Sequence, residues 1–187
     1  MSKPVVQTHA SRKAQSRKAM CDAMLELLEE RSFDQIQITD LTARANVGYA
    51  TFFRHFQSLS DVLEVVAGEE IEALMEMSIP LLFQSDSSVS TLALCRYVAQ
   101  RKDIWRTLLT GGAAHRVRGE FVRQARVWAS REEQRPGAVP IDLGTVWTAG
   151  ATIDALAWWM ERDGEYDVEA LAQFIDRGII APFLKLR

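Results

Sequence analysis

The chain has 187 residues, of which 48% are hydrophobic and 25% charged, so it can bury one or two sizeable cores. Its apolar runs stay short of the roughly 20 residues that cross a bilayer, and its first residues lack the apolar core of a signal peptide. These features argue against a membrane protein and predict a cytoplasmic one. The net charge of −3 would ordinarily argue against a nucleic-acid partner, but the charge is unevenly distributed.

The N-terminal part of the chain is its basic end. Residues 1–60 contain eight Lys and Arg against six Asp and Glu, which leaves −5 for the remainder. Residues 1–18 contain no acid, and their basic residues are Lys3, Arg12, Lys13, Arg17 and Lys18. A basic arm of this kind suits phosphate contact, because each neutralised phosphate releases counterions. We predict phosphate contact for Arg12 and Lys18, with a solvated arm as the alternative.

Two helices are predicted before the most informative stretch of the chain. The first covers Ser11 to Glu30, where apolar residues recur every three or four positions. The second is short and lies around Leu41 and Ala45, which are four residues apart and share one buried face. Asn46 follows at the turn, and asparagine tolerates the left-handed backbone conformation that often ends a helix.

A third helix is predicted from Tyr49, with Gly48 as its N-cap. Its aromatic residues lie at positions 49, 52, 53 and 56, which is the spacing of a stripe along one side of a helix. We assign Phe52 and Phe56 to the core and leave Tyr49 and Phe53 on its flank. Helix, tight turn and helix in this order are typical of a DNA-reading motif.

This segment resembles the DNA-binding domain of the tetracycline-repressor (TetR) family. The gap-free match from Phe33 to Leu63 includes Asp40, Leu41, Ala45, Val47, Thr51, Phe52, His55, Phe56 and Ser58. The resemblance implies an all-α protein with an N-terminal three-helix helix-turn-helix DNA-binding domain and a C-terminal helical ligand-binding and dimerisation domain. We place the first domain at residues 1–57, including the basic arm 1–18, and the second at residues 58–187. Phe53 and Leu59 replace the Tyr and Lys that commonly reach phosphates in the family.

Most DNA contacts are predicted on the third helix. Ala50 lets the backbone approach closely, and Thr51 offers a methyl group for thymine and a hydroxyl for phosphate or base. Arg54 points outward, with a solvated position as its alternative. His55 resembles the family histidine near the DNA backbone, with a packed or capping role as its alternative. No acid or nucleophile is patterned around His55, so we assign it no catalytic role.

The second helix completes the predicted DNA-binding set. We expect Thr39, Thr42 and Arg44 to face away from the core, and Thr39 has helix capping as its alternative role. The complete set of predicted DNA-binding residues is Arg12, Lys18, Thr39, Arg44, Tyr49, Ala50, Thr51, Phe53, Arg54 and His55.

The rest of the chain is predicted to be helical. Ser58 and Asp61 form a capping-box-like start for helix 4, which we expect to end at Ile79, before Pro80. Because helix 4 follows the reading helix directly, tilting it would move the reading head. Helices 5 to 9 are predicted over about Val89–Gln100, Asp103–Thr110, Ala114–Glu133, Asp142–Arg162 and Val168–Leu184.

Helices 8 and 9 carry more apolar surface than a small core needs. Trp158 and Trp159 lie on adjacent faces, so one core cannot bury both, and a partner surface accounts for the excess. The resemblance implies a four-helix interface between two subunits, hence a homodimer on a roughly palindromic operator. The predicted interface residues are Ala151, Ala155, Trp158, Leu171, Phe174, Ile175 and Gly178.

The resemblance also implies an effector pocket between helices 4 and 8. Met and aromatic residues there are adaptable linings for an apolar ligand, although residues at helical spacing are more often plain core. The predicted lining residues are Met75, Cys95, Trp105, Leu109, Phe121, Trp128 and Trp147. Neither Cys21 nor Cys95 has metal-ligand spacing, and both are predicted to be buried.

These patterns predict a homodimeric transcriptional repressor that binds double-stranded operator DNA and is released by a small apolar or aromatic inducer. The alternatives are a helical protein-interaction adaptor and a regulator without a small-molecule effector. Enzymatic activity is not predicted, because we find no Gly-rich phosphate loop, His-Glu-x-x-His motif or paired cysteines. No catalytic residue, metal or cofactor is predicted.

Overall fold

All regular secondary structure in the computed structural model is helical, over the residues that it describes: 9–84, 86–131, 140–162 and 165–185. The predicted all-α fold class is therefore confirmed. The chain forms two compact units, with the boundary between Val66 and Ala67. In the described ranges no helix has both the length and the apolar character to span a bilayer.

The first unit contains three helices and the beginning of a fourth: α1 His9–Glu30, α2 Ile38–Arg44, α3 Tyr49–Phe52 and α4 Leu59–Gln84. A short 3-10 turn, Phe33–Gln35, precedes α2. The apolar face of α1 packs with residues from the other elements, and the largest side chains of this core are Met20, Met24, Leu27, Leu41, Phe52 and Leu63. This core holds α2 and α3 in place around their connecting turn.

The turn between α2 and α3 depends on Asn46. Its φ of 52° is left-handed, as the sequence predicted. The turn is closed by two main-chain hydrogen bonds, from Asn46 N–H to Ala43 O at 3.2 Å and from Val47 N–H to Thr42 O at 3.0 Å. Orphan carbonyls at the end of α2 are therefore satisfied, and four residues, 45–48, connect α2 to α3.

We expect Asn46→Gly to preserve or slightly raise the free energy of unfolding, because glycine adopts positive φ without steric cost. Asn46→Val should lower it by about 1–2 kcal/mol, because a β-branched side chain clashes in that conformation. Urea unfolding of both variants measures this difference. A valine variant as stable as the parent chain would show that the turn can adopt another conformation.

Helix α4 begins as predicted but ends later. Asp61 N–H donates to Ser58 Oγ at 3.2 Å, and Ser58 N–H donates to Asp61 Oδ2 at 3.2 Å, which completes the capping box. The predicted end before Pro80 is wrong, because α4 continues through Pro80 to Gln84. A proline inside a helix costs about 3 kcal/mol; here Ser90 Oγ supports the adjacent segment by donating to Ser78 O at 2.8 Å.

Six further helices follow in the described part of the second unit: α5 Ser87–Gln100, α6 Lys102–Thr110, α7 Ala114–Ala129, α8 Ile141–Glu161, α9 Val168–Ile175 and α10 Ala181–Lys185. Helix α8 packs against α6 and α7, and α9 packs against α5. The predicted single helix from Val168 to Leu184 is interrupted by a π-helical turn, Asp176–Ile180. Asp176 is buried there and accepts a hydrogen bond from Ser87 Oγ at 2.6 Å.

Candidate nucleic-acid interface and cavity

The aromatic side chains at positions 49, 52, 53 and 56, on α3 and just after it, are divided between the core and the surface. Phe52 is fully buried and Phe56 is 4% exposed, whereas Tyr49 and Phe53 are 54% and 50% exposed. The two exposed rings meet edge to face with centroids 5.3 Å apart. Both assignments of the stripe are thereby confirmed. The first turn of α3 begins at Gly48, whose carbonyl accepts the Thr51 N–H at 2.8 Å.

The imidazole of His55 lies at the end of this motif, and three positive side chains influence its pKa. The pKa of His55 is lowered, first by burial and then by the positive charges of Lys13, Arg17 and Arg54. The guanidinium carbon of Arg17 also lies 5.5 Å from the centroid of the Phe56 ring. No carboxylate pairs with any of these three basic residues in the described ranges. We call Lys13, Arg17 and Arg54 the cationic cluster.

The cationic cluster differs from the arm residues that the sequence singled out. Arg12 is exposed, but Lys18 Nζ lies 2.7 Å from Asp22 Oδ2. Such an exposed pair contributes only about 0–1 kcal/mol, so it does not prevent Lys18 from contacting a phosphate. The sequence signal for the cluster was the i, i+4 spacing of Lys13 and Arg17, which places both on one side of α1.

Arg44 has carboxylate partners that were not predicted from the sequence. Its guanidinium donates to Glu30 at 2.9 Å and to Glu26 at 3.2 Å, both on α1. These hydrogen bonds raise the pKa of Arg44 and lower the pKa of Glu30. Arg44 therefore links α1 and α2, and its predicted contact with DNA stays a prediction. The two glutamates lie 14 and 18 positions before Arg44 in the sequence. Local periodicity cannot show contacts between residues so far apart.

Helix α2 contributes one available hydroxyl. Thr42 was expected to face away from the core, but this is wrong: it is 6% exposed, and its Oγ1 donates to Thr39 O at 3.2 Å. Thr39 is exposed and does not cap α2, because the cap position is Gln37, whose N–H donates to Asp40 Oδ2 at 3.0 Å. Thr39 therefore remains available on the surface. On α3, Ala50 is exposed, whereas Thr51 and His55 are half-buried.

The second unit contains a partly open cavity of about 130 Å³. Its wall is apolar apart from hydroxyl groups, and none of the described lining residues is charged. Three predicted residues, Met75, Phe121 and Trp128, line it. The other lining residues are Ser78, Ile79, Leu82, Ser90, Thr91, Leu94, Ala125, Ala129, Ile141, Thr145, Thr148, Ala149, Thr152, Ile175, Ile180, Phe183 and Leu184.

The other four predicted pocket residues do not line this cavity. Cys95, Trp105 and Leu109 are buried in the core beside it. Burial raises the pKa of the Cys95 thiol to about 12, so this side chain stays protonated. Trp147 is 53% exposed, so its assignment to the cavity is wrong. Periodicity shows which side of a helix is apolar, but it does not show what that side packs against.

Several lining residues come from the C-terminal segment, which the sequence analysis did not connect with the pocket. Ile175, Ile180 and Phe183 reach the cavity from α9, the π-helical turn and α10. The Phe183 ring packs against Gly144 so closely that a Cβ at that position would overlap it. A glycine on α8 is thus required for Phe183 to form this part of the wall. The glycine at position 144 is the sequence signal for such a close approach.

Apolar side chains also remain on the surface of α8 and α9. Trp158 is 41% exposed, Phe174 is 65% exposed, and they border a groove with Ala155, Tyr166, Ala170 and Leu171. Trp159, by contrast, is buried, and its Nε1–H donates to Tyr166 O at 2.9 Å. The expectation that the two tryptophans have different environments is confirmed.

The other predicted interface residues differ in exposure. Ala151 and Ala155 are half-buried and Gly178 is exposed. Leu171 is 5% exposed at the floor of the groove. Ile175 is fully buried and lines the cavity, so its assignment to a subunit interface is wrong. Leu171 and Ile175 are four residues apart and both face the interior of the subunit, whereas Phe174 lies on the exposed side of α9.

Comparison with known proteins places this geometry in context. Residues 21–66, which contain α2 and α3, match the family model described as bacterial regulatory proteins, tetR family. No curated protein sequence matches the chain.

Solved structures share the fold of the whole chain. A TetR transcriptional regulator from Rhodococcus sp. RHA1 is 14% identical, with a TM-score of 0.65 over 94% of this chain and 100% of its own. RolR in complex with resorcinol is 21% identical, with a TM-score of 0.62 over 91% and 90%. The FadR repressor of Thermus thermophilus, in complex with lauroyl-CoA, is 19% identical, with a TM-score of 0.60 over 88% and 93%. At these identities the likeness establishes the fold alone.

Proposed function

We propose that this chain, whose residues 21–66 match the family model of the tetR family of bacterial regulatory proteins, is a cytoplasmic, homodimeric transcriptional repressor. It binds a roughly palindromic operator in double-stranded DNA and leaves it when a small apolar or aromatic ligand binds. The division of the α3 stripe carries this proposal. The rings of Tyr49 and Phe53 are about half exposed, while those of Phe52, at the end of α3, and Phe56, after it, are buried.

The exposed side of α3 suits the edges of bases. Tyr49 offers a ring and a hydroxyl, Ala50 permits close approach, and the Thr51 methyl group can contact a thymine methyl. These residues lie in the first turn of the helix, which is where recognition helices usually contact bases. Phe53 adds apolar surface beside Tyr49, with ring centroids 5.3 Å apart. We therefore assign sequence reading to residues 49–51 and 53.

The cationic cluster suits the DNA backbone. Lys13, Arg17 and Arg54 all lower the pKa of His55, which lies next to Phe56 at the end of the same motif. Phosphate contacts fix the orientation of a protein on duplex DNA without reading its sequence. We assign this positioning role to the cationic cluster, with additional contacts from Arg12, Lys18 and Thr39. A neutral His55 can donate one hydrogen bond to a phosphate.

The apolar groove on α8 and α9 suits a second copy of the chain. Apolar residues recur along one side of α8 at Leu143, Trp147, Ala151, Ala155 and Trp158. Trp147, which does not line the cavity, is explained as part of this side. An interface formed by the same surface of two subunits has two-fold symmetry, which matches a palindromic operator.

The cavity of the second unit suits a small ligand. RolR is solved with resorcinol and FadR with lauroyl-CoA. A volume of about 130 Å³ is close to that of an engineered apolar cavity, roughly 150 Å³, that binds benzene. The cavity therefore favours a single-ring inducer over a long acyl chain.

Selection of bound sequences from random duplex DNA tests the regulatory function. We expect enrichment of a two-fold symmetric sequence, with half-sites about one helical turn or more apart. A chain that shows no preference for any duplex over its scramble would favour the protein-interaction adaptor instead. Addition of candidate ligands to the selected complex then tests release.

Substitutions at positions 49, 51 and 54 should distinguish side chains that contact bases from side chains that contact the DNA backbone. We expect Tyr49→Ala and Thr51→Ala to lower operator affinity by about 10-fold or more while leaving non-specific binding nearly unchanged, because these side chains face bases. Arg54→Ala should weaken both kinds of binding and flatten the salt dependence. Fluorescence anisotropy with operator and scrambled duplexes measures all three variants. Equal losses on both duplexes for all three would contradict this division.

A further inference from the structure

Of all features of the cavity, the hydroxyl of Thr152 says most about which kind of ligand binds there. We infer that the cavity takes an uncharged molecule about the size of one ring, and that Thr152 pairs with the single polar group of that molecule. This inference rests on the proposed function and deepens it, because it names the ligand class and one residue that selects for it.

Thr152 differs from the other hydroxyl residues of the cavity wall. It is 3% exposed, and its Oγ1 has no hydrogen-bond partner in the described structure. The other five all donate to main-chain carbonyls: Ser78 to Leu74 at 2.8 Å, Ser90 to Ser78 at 2.8 Å, Thr91 to Ser87 at 2.9 Å, Thr145 to Ile141 at 2.7 Å and Thr148 to Gly144 at 2.8 Å.

An unpaired buried hydroxyl has an energetic cost. Leaving such a group without a partner typically costs about 1–3 kcal/mol, and the great majority of buried polar atoms are paired. Threonine on a helix normally avoids this cost by donating to the carbonyl four residues earlier, as Thr145 and Thr148 do on the same helix. Since Thr152 does not, a ligand that pairs with its hydroxyl recovers the lost interaction.

The rest of the cavity wall favours a ligand without charge. Its other surface is formed by aliphatic and aromatic side chains, and its other hydroxyls already donate within the protein. A carboxylate or an ammonium group would lose its hydration without gaining an opposite charge, which is strongly unfavourable. A neutral ring with one hydroxyl fits both the volume and the single unpaired group. Phenol is the simplest probe of this class.

Phenol and toluene provide a matched pair of probes, because they differ only by a hydroxyl in place of a methyl group. We would titrate the full chain with each by calorimetry and take the ratio of the two affinities. Thr152→Val, which keeps the side-chain shape and removes the hydroxyl, should lower the phenol-to-toluene ratio by about 3- to 10-fold. Thr145→Val is the control: it removes a hydroxyl that already has a partner and should leave the ratio unchanged.

A second measurement shows that the variant folds and tests the unpaired hydroxyl directly. Without ligand, Thr152→Val should unfold at the same or higher urea concentration than the parent chain, whereas Thr145→Val should unfold at a lower one. A ratio that falls equally in both variants, or in neither, would overturn the inference, as would tight binding of benzoate. These titrations contain no DNA, so their failure is distinguishable from a lack of operator preference in the selection experiment.

Discussion

Replacing Lys13, Arg17 and Arg54 together by glutamine should lower affinity for duplex DNA on the order of 10³-fold at about 0.15 M salt, for operator and scrambled sequences alike. Each phosphate contact contributes about −0.9 to the slope of log affinity against log salt. Three contacts in each of two subunits would therefore reduce the steepness of that slope by roughly five. The loss should shrink as the salt concentration rises, because the contribution that is removed is electrostatic.

Arg96→Gln is the control for the cationic cluster. It removes one positive charge from α5 in the second unit, where no DNA contact is proposed and where Arg96 lies 2.8 Å from Glu169, so little loss is expected. The imidazole of His55 provides an independent measurement. Burial and the three cations lower its pKa, so removal of the cations should raise that pKa in an NMR titration without DNA. A raised His55 pKa with unchanged DNA affinity would show that the cluster forms but does not contact phosphate.

The parts of the DNA-binding domain that sequence analysis located are those that local geometry determines. Asn46 was identified because few residues tolerate positive φ, and its φ is 52°. The stripe of α3 was divided correctly, since Phe52 and Phe56 are four residues apart and must share one face. Both conclusions need only the spacing of residues within one short segment.

The features of this domain that the sequence did not reveal concern side chains that pair with residues of other helices. Arg44 was expected to be free for DNA, yet two carboxylates of α1 bind it. Lys13 and Arg17 were not selected from the basic arm, although they are the arm residues that act on His55. Charge counts along the sequence cannot distinguish a paired cation from an unpaired one. That distinction requires the packing of α1 against the other helices.

The cavity was less predictable than the domain that contains it. Met75, Phe121 and Trp128 were identified from their residue types, which suit apolar ligands. Ile180 and Phe183 were not identified, because a π-helical turn changes which side of the C-terminal segment faces inward. Thr152 was missed as well, because its type and spacing match those of Thr148, which is fully paired. Only the hydrogen-bond pattern distinguishes them.

Ala155→Glu should convert the proposed dimer to a monomer at micromolar concentration. Ala155 lies in the apolar groove with Trp158 and Phe174, where a second subunit would bury it. Two-fold symmetry places two added carboxylates in the same interface, where each is desolvated without an opposite charge. Sedimentation velocity measures the association state. Operator affinity should fall on the order of 100-fold or more, because each monomer then binds only one half-site.

Ala157→Glu is the matched control, because it makes the same substitution on the same helix at a residue that is also half-buried. Residue 157 lies on a different side of α8 from residue 155, outside the groove. Both variants carry a similar cost within the subunit, so only the variant at 155 should dissociate. If Ala155→Glu sediments as a dimer, the shared surface lies elsewhere, and exposed Trp158 and Phe174 need another partner. If it is a monomer but keeps full operator affinity, one subunit is sufficient to read the DNA and the operator need not be palindromic.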